Sequence, residues 1–161
     1  MSQPSGSGAL QIHIDGSSRG NPGQAGCGVV IRDAGGGILL EQGYLLDEMS
    51  NNAAEYNALI IALEEALVLK ADSVNIHADS ELLVRQMNGQ YRVKHRTLKV
   101  LHERASHLAK AFRQFTLTHV RREENREADC LAQQASREGL KAARKLTKHP
   151  DPPKKVQDRL F

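Results

Sequence analysis

No run of about 18 consecutive apolar residues occurs in the chain, and so no membrane-spanning helix is expected. Cysteine is scarce: Cys27 and Cys130 stand far apart with no CxxC pattern, which argues against both a disulfide framework and a thiolate zinc site. The N-terminal MSQPSGSGA lacks the basic and apolar regions of a signal peptide, so a reducing cytoplasm is the expected location. There is no internal repeat. What is present is a 40% hydrophobic, 25% charged chain of 161 residues, enough for one domain that buries roughly two-thirds of its unfolded surface without staples.

The net charge of +3 hides an asymmetry. Residues 1–79 hold 3 Lys/Arg against 10 Asp/Glu, a net of −7, whereas residues 80–161 hold 19 against 9, a net of +10. An acidic cluster beside a basic surface suits a metal-dependent enzyme acting on nucleic acid. Solvated helix faces whose charges happen to sort are the plainer explanation.

Residues 10–15 alternate, with Leu10, Ile12 and Ile14 on one face, and the turn GSSRGNPG follows. GCGVVIRD, AGGG and ILLEQGYLL read as strand, turn and strand, completing an antiparallel meander of three strands. Residues 52–70 carry Ala54, Ala58, Ile61, Ala62 and Leu69 at helical spacing. A strand over 73–77, helices over 80–88 and 97–111, a strand over 115–120 and a helix from 125 to at least 136 complete the chain. The expected architecture is an α/β domain with a mixed five-stranded sheet, strands 4 and 5 joining the meander, and helices on both faces. The expected organisation is a flexible N-terminus (1–9), a domain (10–147) and a mobile, proline-interrupted tail (148–161).

Four acidic residues sit at element junctions: Asp15 after the first strand, Glu55 in the first turn of the long helix, Asp79 beyond the fourth strand, and Asp129 in the last helix. Each has an ordinary explanation: Asp15 can shape a turn, Asn52 and Glu55 can form a capping box, Asp79 can cap a helix, and Asp129 can complement a helix dipole. Together they suggest more, because strands 1 and 4 can lie side by side and deliver both aspartates to one edge. Carboxylates so crowded repel unless divalent cations neutralise them, and oxygen ligands without a Cys or His cluster select magnesium or manganese.

DGSSRGNPGQAGCG, SNNAAEYNALIIALEEAL, IHADSELLV and NREADCLA, in that order between residues 10 and 136, resemble the four signatures of type 1 ribonuclease H. The resemblance implies an RNase H-like fold and endonucleolytic cleavage of the RNA strand of an RNA–DNA hybrid, leaving a 5′-phosphate and a 3′-hydroxyl. It implies two Mg2+ ions about 3.5–4 Å apart, with Mn2+ as the substitute. Asp15 would bridge them, Asp129 would complete the site that activates water, and Glu55 with Asp79 would hold the ion beside the leaving group. Asn21, Asn51 and Asn52 match the family's contact positions and offer the donors and acceptors a 2′-hydroxyl needs; turn and cap chemistry is their alternative. Gly16 would let the backbone approach the sugar.

The sequence departs from the best-known members in lacking their large basic insertion, since GQYRVKHR leads straight into the next helix, and in having no tryptophan. Arg92, Lys94, Arg96 and Lys99 are the expected partial substitutes for gripping the DNA strand; an ordinary solvated basic face is their alternative, and it applies fully to Lys99. His119 has the spacing of the family's mobile loop histidine, but its strand parity with Phe115 and Leu117 makes it a core or strand-end residue. Arg122, in the compact loop VRREENRE, is the preferred catalytic cation, with an exposed surface arginine as its alternative. Gln157, Leu160 and Phe161 form a QxxLF pattern resembling the peptide by which bacterial replication and repair proteins dock on the sliding clamp; the alternative is a tail folded back on its own domain. Otherwise a monomer without membrane association is expected. The competing functions are a catalytically silent hybrid-binding module and another nuclease of the same fold.

Overall fold

The computed structural model describes residues 8–148, with side chains as far as residue 139. Leu10–Ser18 forms β1, Gly23–Arg32 β2 and Ile38–Met49 β3, each antiparallel to the one before. Asn51–Val68 forms α1, Ser73–Ala78 β4, Glu81–Met87 α2, Arg96–Ala109 α3, Gln114–His119 β5 and Arg126–Lys148 α4, with a 3-10 turn at Arg122–Glu124. The strands lie in the order β3-β2-β1-β4-β5, and β4 runs parallel to both β1 and β5. This is the mixed five-stranded sheet expected, with α1, α2 and α3 on one face and α4 on the other. Among the described residues no helix is long and apolar enough to cross a membrane.

The main core lies between the sheet and α1. Ile12 and Ile14 of β1, Val74 and Ile76 of β4, and Cys27, Val29 and Ile31 of β2 are all fully buried there. Helix α1 is buried almost all round, from Ala53 to Ala66, because the sheet covers one side and α3 the other. On the opposite face α4 lies directly on β2. A Cβ on Gly28 would come within 2.3 Å of the Ala128 carbonyl oxygen, so only glycine permits that approach. Arg32 holds both carboxylate oxygens of Glu127 at 2.9 and 2.8 Å, and Arg19 donates to the Ser136 hydroxyl and the Gln133 carbonyl. These bonds fix the start of α4 over the sheet.

Three boundaries differ from expectation for physical reasons. Strand β1 does not stop at Asp15, because pairing with β2 continues to Ser18 opposite Ala25 and overrides the weak strand propensity of Gly-Ser-Ser. Helix α1 starts at Asn51, and its cap is Ser50, whose hydroxyl accepts from the Ala53 N–H at 3.1 Å. Helix α4 runs to Lys148, so the expected boundary between domain and tail falls on the helix itself. The tail residues Gln157, Leu160 and Phe161, like residues 1–7, lie outside the described residues.

Candidate active site

Pairing between β1 and β4 ends at Ile14 opposite Ala78, and the next residue of β1 is Asp15. Its side chain shares a strand face with His13, opposite the core face of Ile12 and Ile14. Being paired with Gly28, Asp15 is a strand residue and does not shape a turn. Asp79 follows β4 immediately. It does not cap α2, because Ser80 does so, its hydroxyl accepting from the Leu83 N–H at 3.2 Å.

Glu55 lies in the second turn of α1, too far from Ser50 to belong to a cap. It reaches the sheet because Gly16 has no side chain: a Cβ there would stand 2.4 Å from both the Ala54 carbonyl carbon and the Glu55 nitrogen. The close approach lets the Gly16 N–H donate to Glu55 Oε1 at 2.9 Å. The absent side chain of Gly16 therefore faces α1 as a packing requirement, besides the residue's place in the cleft wall.

Ligand oxygens of Asp15, Glu55 and Asp79 lie within 4.8 Å of one another. Asp129, in the first turn of α4, lines the same cleft of about 280 Å³ together with Gly16, Ser17, Asn51, Arg122 and Gln133. Asp15 and Glu55 are only 4% and 5% exposed. Burial first, then the charges of Glu55 and Asp79, push the Asp15 carboxyl far above the usual carboxylate range. Burial and the Asp79 charge push Glu55 the same way, opposed by the Gly16 N–H. Two nearby histidines supply no relief: His13 and His77 stack at 4.7 Å, and burial lowers the affinity of each for a proton. Asp15, Glu55 and Asp79 make no ion pair with a basic side chain among the described residues, and three crowded hard oxygen donors of this kind fit divalent ions such as magnesium or manganese.

Arg122 Nη2 stands 3.6 Å from Asp129 Oδ1, with the arginine side chain 73% exposed. His119 is the last, exposed residue of β5 and is absent from the cleft wall. It is a strand-end residue and not a core one, because β5 is an edge strand and its core ends at Leu117. Of the three asparagines Asn51 borders the cleft, its Oδ1 accepting from the Ser18 N–H at 3.2 Å. Asn21 and Asn52 are exposed outside the cleft wall.

Arg92 lines a second groove, of about 450 Å³ between α2 and α3, with Tyr91, Lys99 and His102. Lys94 and Arg96 are exposed outside its lining. Lys99, for which the solvated-face alternative weighed most, sits in the groove wall on the same face of α3 as His102, Glu103 and Ser106. Sequence reasoning passed over Ser17, Gln133 and Asn125. For Gln133 the available signal was its place four residues after Asp129, on the same helical face.

Comparison with known proteins agrees with this geometry. The family model for reverse transcriptase-like proteins matches residues 13–135. Ribonuclease HI of Halobacterium salinarum is 39% identical over 133 residues, which cover 83% of this chain and 67% of that protein. A bifunctional protein of Mycobacterium tuberculosis is 42% identical, but the chain spans only about a third (34%) of its length. The solved N-terminal RNase H domain of that mycobacterial protein superimposes with a TM-score of 0.82 at 39% identity, covering 85% of this chain and 99% of the domain. LC11-RNase H1, solved in complex with an RNA/DNA hybrid, gives a TM-score of 0.76 at 42% identity, over 81% of this chain and 99% of that one. Sequence relatives, matched structures and the carboxylate cluster agree: this chain belongs to the type 1 ribonuclease H family.

Proposed function

We propose that the chain is an endoribonuclease that hydrolyses the RNA strand of RNA–DNA hybrids, leaving 5′-phosphate and 3′-hydroxyl ends. The observation that carries this reading is the convergence of Asp15, Glu55 and Asp79 to within 4.8 Å in an open cleft. The relative solved with a hybrid supports the substrate. Asp15, Glu55, Asp79 and Asp129 hold two Mg2+ ions, with Mn2+ able to replace them. Bound there, the ions supply a water nucleophile at neutral pH and charge stabilisation at the departing 3′-oxygen.

The remaining residues bind and orient the substrate. Asn51, with its Oδ1 engaged by Ser18, offers its amide nitrogen to the RNA strand; Gly16 meets the same strand from the cleft wall, and the exposed Asn21 and Asn52 meet it beyond that wall. Arg122 neutralises the scissile phosphate. Arg92, Lys94 and Arg96, joined by Lys99, take the phosphates of the DNA strand. The first turn of α3 favours such a ligand, since His95 makes no side-chain cap and Arg96 opposes the helix dipole.

Incubating the protein with labelled hybrid, double-stranded RNA, double-stranded DNA and a duplex holding one ribonucleotide, with Mg2+ or Mn2+, tests the proposal. The hybrid should be cut internally in its RNA strand. Hybrid that is bound but left intact with either metal would establish a silent binding module instead. Replacing Arg92, Lys94 and Arg96 together by Gln should raise KM about tenfold with kcat little changed, since such contacts serve ground and transition states alike. The slope of log KM against log salt should also fall by roughly 2 to 3; an unchanged slope would return these residues to an ordinary solvated face.

Arg122→Ala should lower kcat about tenfold, ~1.4 kcal/mol of barrier, while His119→Ala leaves it nearly unchanged. The effect is modest because Arg122 is 73% exposed and its charge is screened. A larger loss from the histidine variant would reverse the two roles. The two cysteines, both free and one of them buried, suit a reducing cytoplasm, where we take the protein to act as a monomer. We further propose that Gln157, Leu160 and Phe161 dock on a replication sliding clamp, which would bring the enzyme to RNA at forks and repair sites. Deleting 157–161 should abolish clamp binding and spare both cleavage and melting temperature; a melting temperature lowered by several degrees would mean that the segment belongs to the fold.

A further inference from the structure

Asn125 is 1% exposed and has a place in none of the roles assigned above. Three of its groups are committed to three different parts of the site. Its backbone N–H donates to the Arg122 carbonyl at 2.9 Å, and its own carbonyl accepts from the Asp129 N–H at 3.0 Å. Its side-chain Nδ2 donates to the carbonyl oxygen of Ile14 at 2.8 Å. Ile14 is the residue before Asp15 and the last of β1 to pair with β4.

The remaining side-chain atom, Oδ1, is buried without a hydrogen-bond partner. An asparagine kept only to start α4 would turn Oδ1 onto the first free N–H groups of the helix. Here the amide is instead committed across 111 residues of sequence to β1, although an unsatisfied buried acceptor is unfavourable. The geometry is that of a spacer between two metal-ligand positions on elements that no strand pairing connects.

We propose that Asn125 is a positioning residue, fixing where Asp129 and Arg122 stand relative to Asp15. The inference rests on the metal-nuclease reading of the cleft. It acts through neighbouring groups, so its signature is metal affinity and kcat, with the grip on the hybrid unaffected.

The test is calorimetric titration of the full chain with MnCl2 in the absence of nucleic acid, alongside steady-state cleavage. Asn125→Ala should weaken Mn2+ binding about tenfold, the usual scale for a lost outer partner of a metal ligand. It should lower kcat by a similar factor and leave KM within about twofold. Val74→Ala, a core truncation at the far end of β4, serves as a control for general loss of stability: its melting temperature should fall while its Mn2+ affinity stays that of the wild type. If Asn125→Ala does not fold, Asn125→Ser, with a smaller loss of volume, is read the same way.

Wild-type Mn2+ affinity in a folded Asn125 variant would overturn the positioning role alone. An equal weakening in Val74→Ala would do the same, by making the effect one of stability. A wild-type protein that neither binds Mn2+ nor cleaves hybrid would overturn the metal-nuclease reading and this inference with it.

Discussion

Replacing Asp15 by Asn should abolish hybrid cleavage, lowering kcat by about a thousandfold or more, while hybrid binding falls by less than about threefold. A thousandfold corresponds to ~4 kcal/mol of transition-state stabilisation, within the several kcal/mol expected of metal-ion catalysis. Binding survives because the basic groove between α2 and α3 and the Asn51 rim are untouched. A folded Asp15→Asn protein that retained substantial Mg2+-dependent cleavage would sink the assignment of this cleft.

The same substitution should stabilise the metal-free protein by ~1–2 kcal/mol, raising its melting temperature by roughly 3–6 °C for a chain of this size. The sign follows from the carboxyls of Asp15 and Glu55, both of which bind protons more tightly in the fold than in the unfolded chain. Stability from such groups is full below the ordinary carboxylate pKa and is lost as pH rises through the folded value. The metal-free wild-type protein should therefore melt at progressively lower temperature as pH goes from about 5 to about 8, with Asp15→Asn showing a shallower decline. Divalent metal should restore stability at the upper end by binding only the folded chain. A metal-free melting temperature independent of pH over that interval would mean that the carboxylates are not crowded.

Gly16→Ala should be among the most damaging single-methyl changes at the described residues, and the one that strikes the carboxylate cluster directly. The added Cβ would lie 2.4 Å from backbone atoms of Ala54 and Glu55, and backbone cannot swing aside as a side chain can. Either β1 or α1 must move by about 1 Å, which costs roughly 3 kcal/mol by the usual scale of overpacking and lowers the melting temperature by about 10 °C. The displacement also breaks the bond from the Gly16 N–H to Glu55 and carries Glu55 away from Asp15. We expect at least a hundredfold loss of cleavage in whatever fraction folds, unrelieved by excess metal. Wild-type melting and activity in Gly16→Ala would show that strand and helix are not in contact at this point.

Much of this was legible in the chain because it is written in local terms. The alternation of Ile12 and Ile14, the helical spacing from Ala54 to Ala62, and the turn residues between the first strands report backbone preferences over a few residues, and each element they imply is present. The four acidic residues were read at element junctions, which holds for Asp79 and Asp129 but not for Asp15, inside β1, or Glu55, in the second turn of α1; their motifs carried the family resemblance by themselves. Local signals also misled where two residues competed for the same position. Asn52 and Asp79 look like caps, yet Ser50 and Ser80 hold those places.

The tertiary structure alone decided how the carboxylates meet. Asp15 and Asp79 converge because parallel pairing of β1 with β4 stops one residue earlier on each strand; the hydrophobic alternation of each strand decides which face is buried, but which residues stand opposite each other is settled only when the two strands meet. Glu55 joins them because Gly16 lets a helix backbone touch a strand, a contact over 39 residues. Asn125 reads in sequence as a helix start; that its amide reaches across the fold to Ile14 depends on where α4 docks, and docking is fixed by glycines on β2 and by the Arg32–Glu127 ion pair, which only the assembled sheet brings opposite the helix.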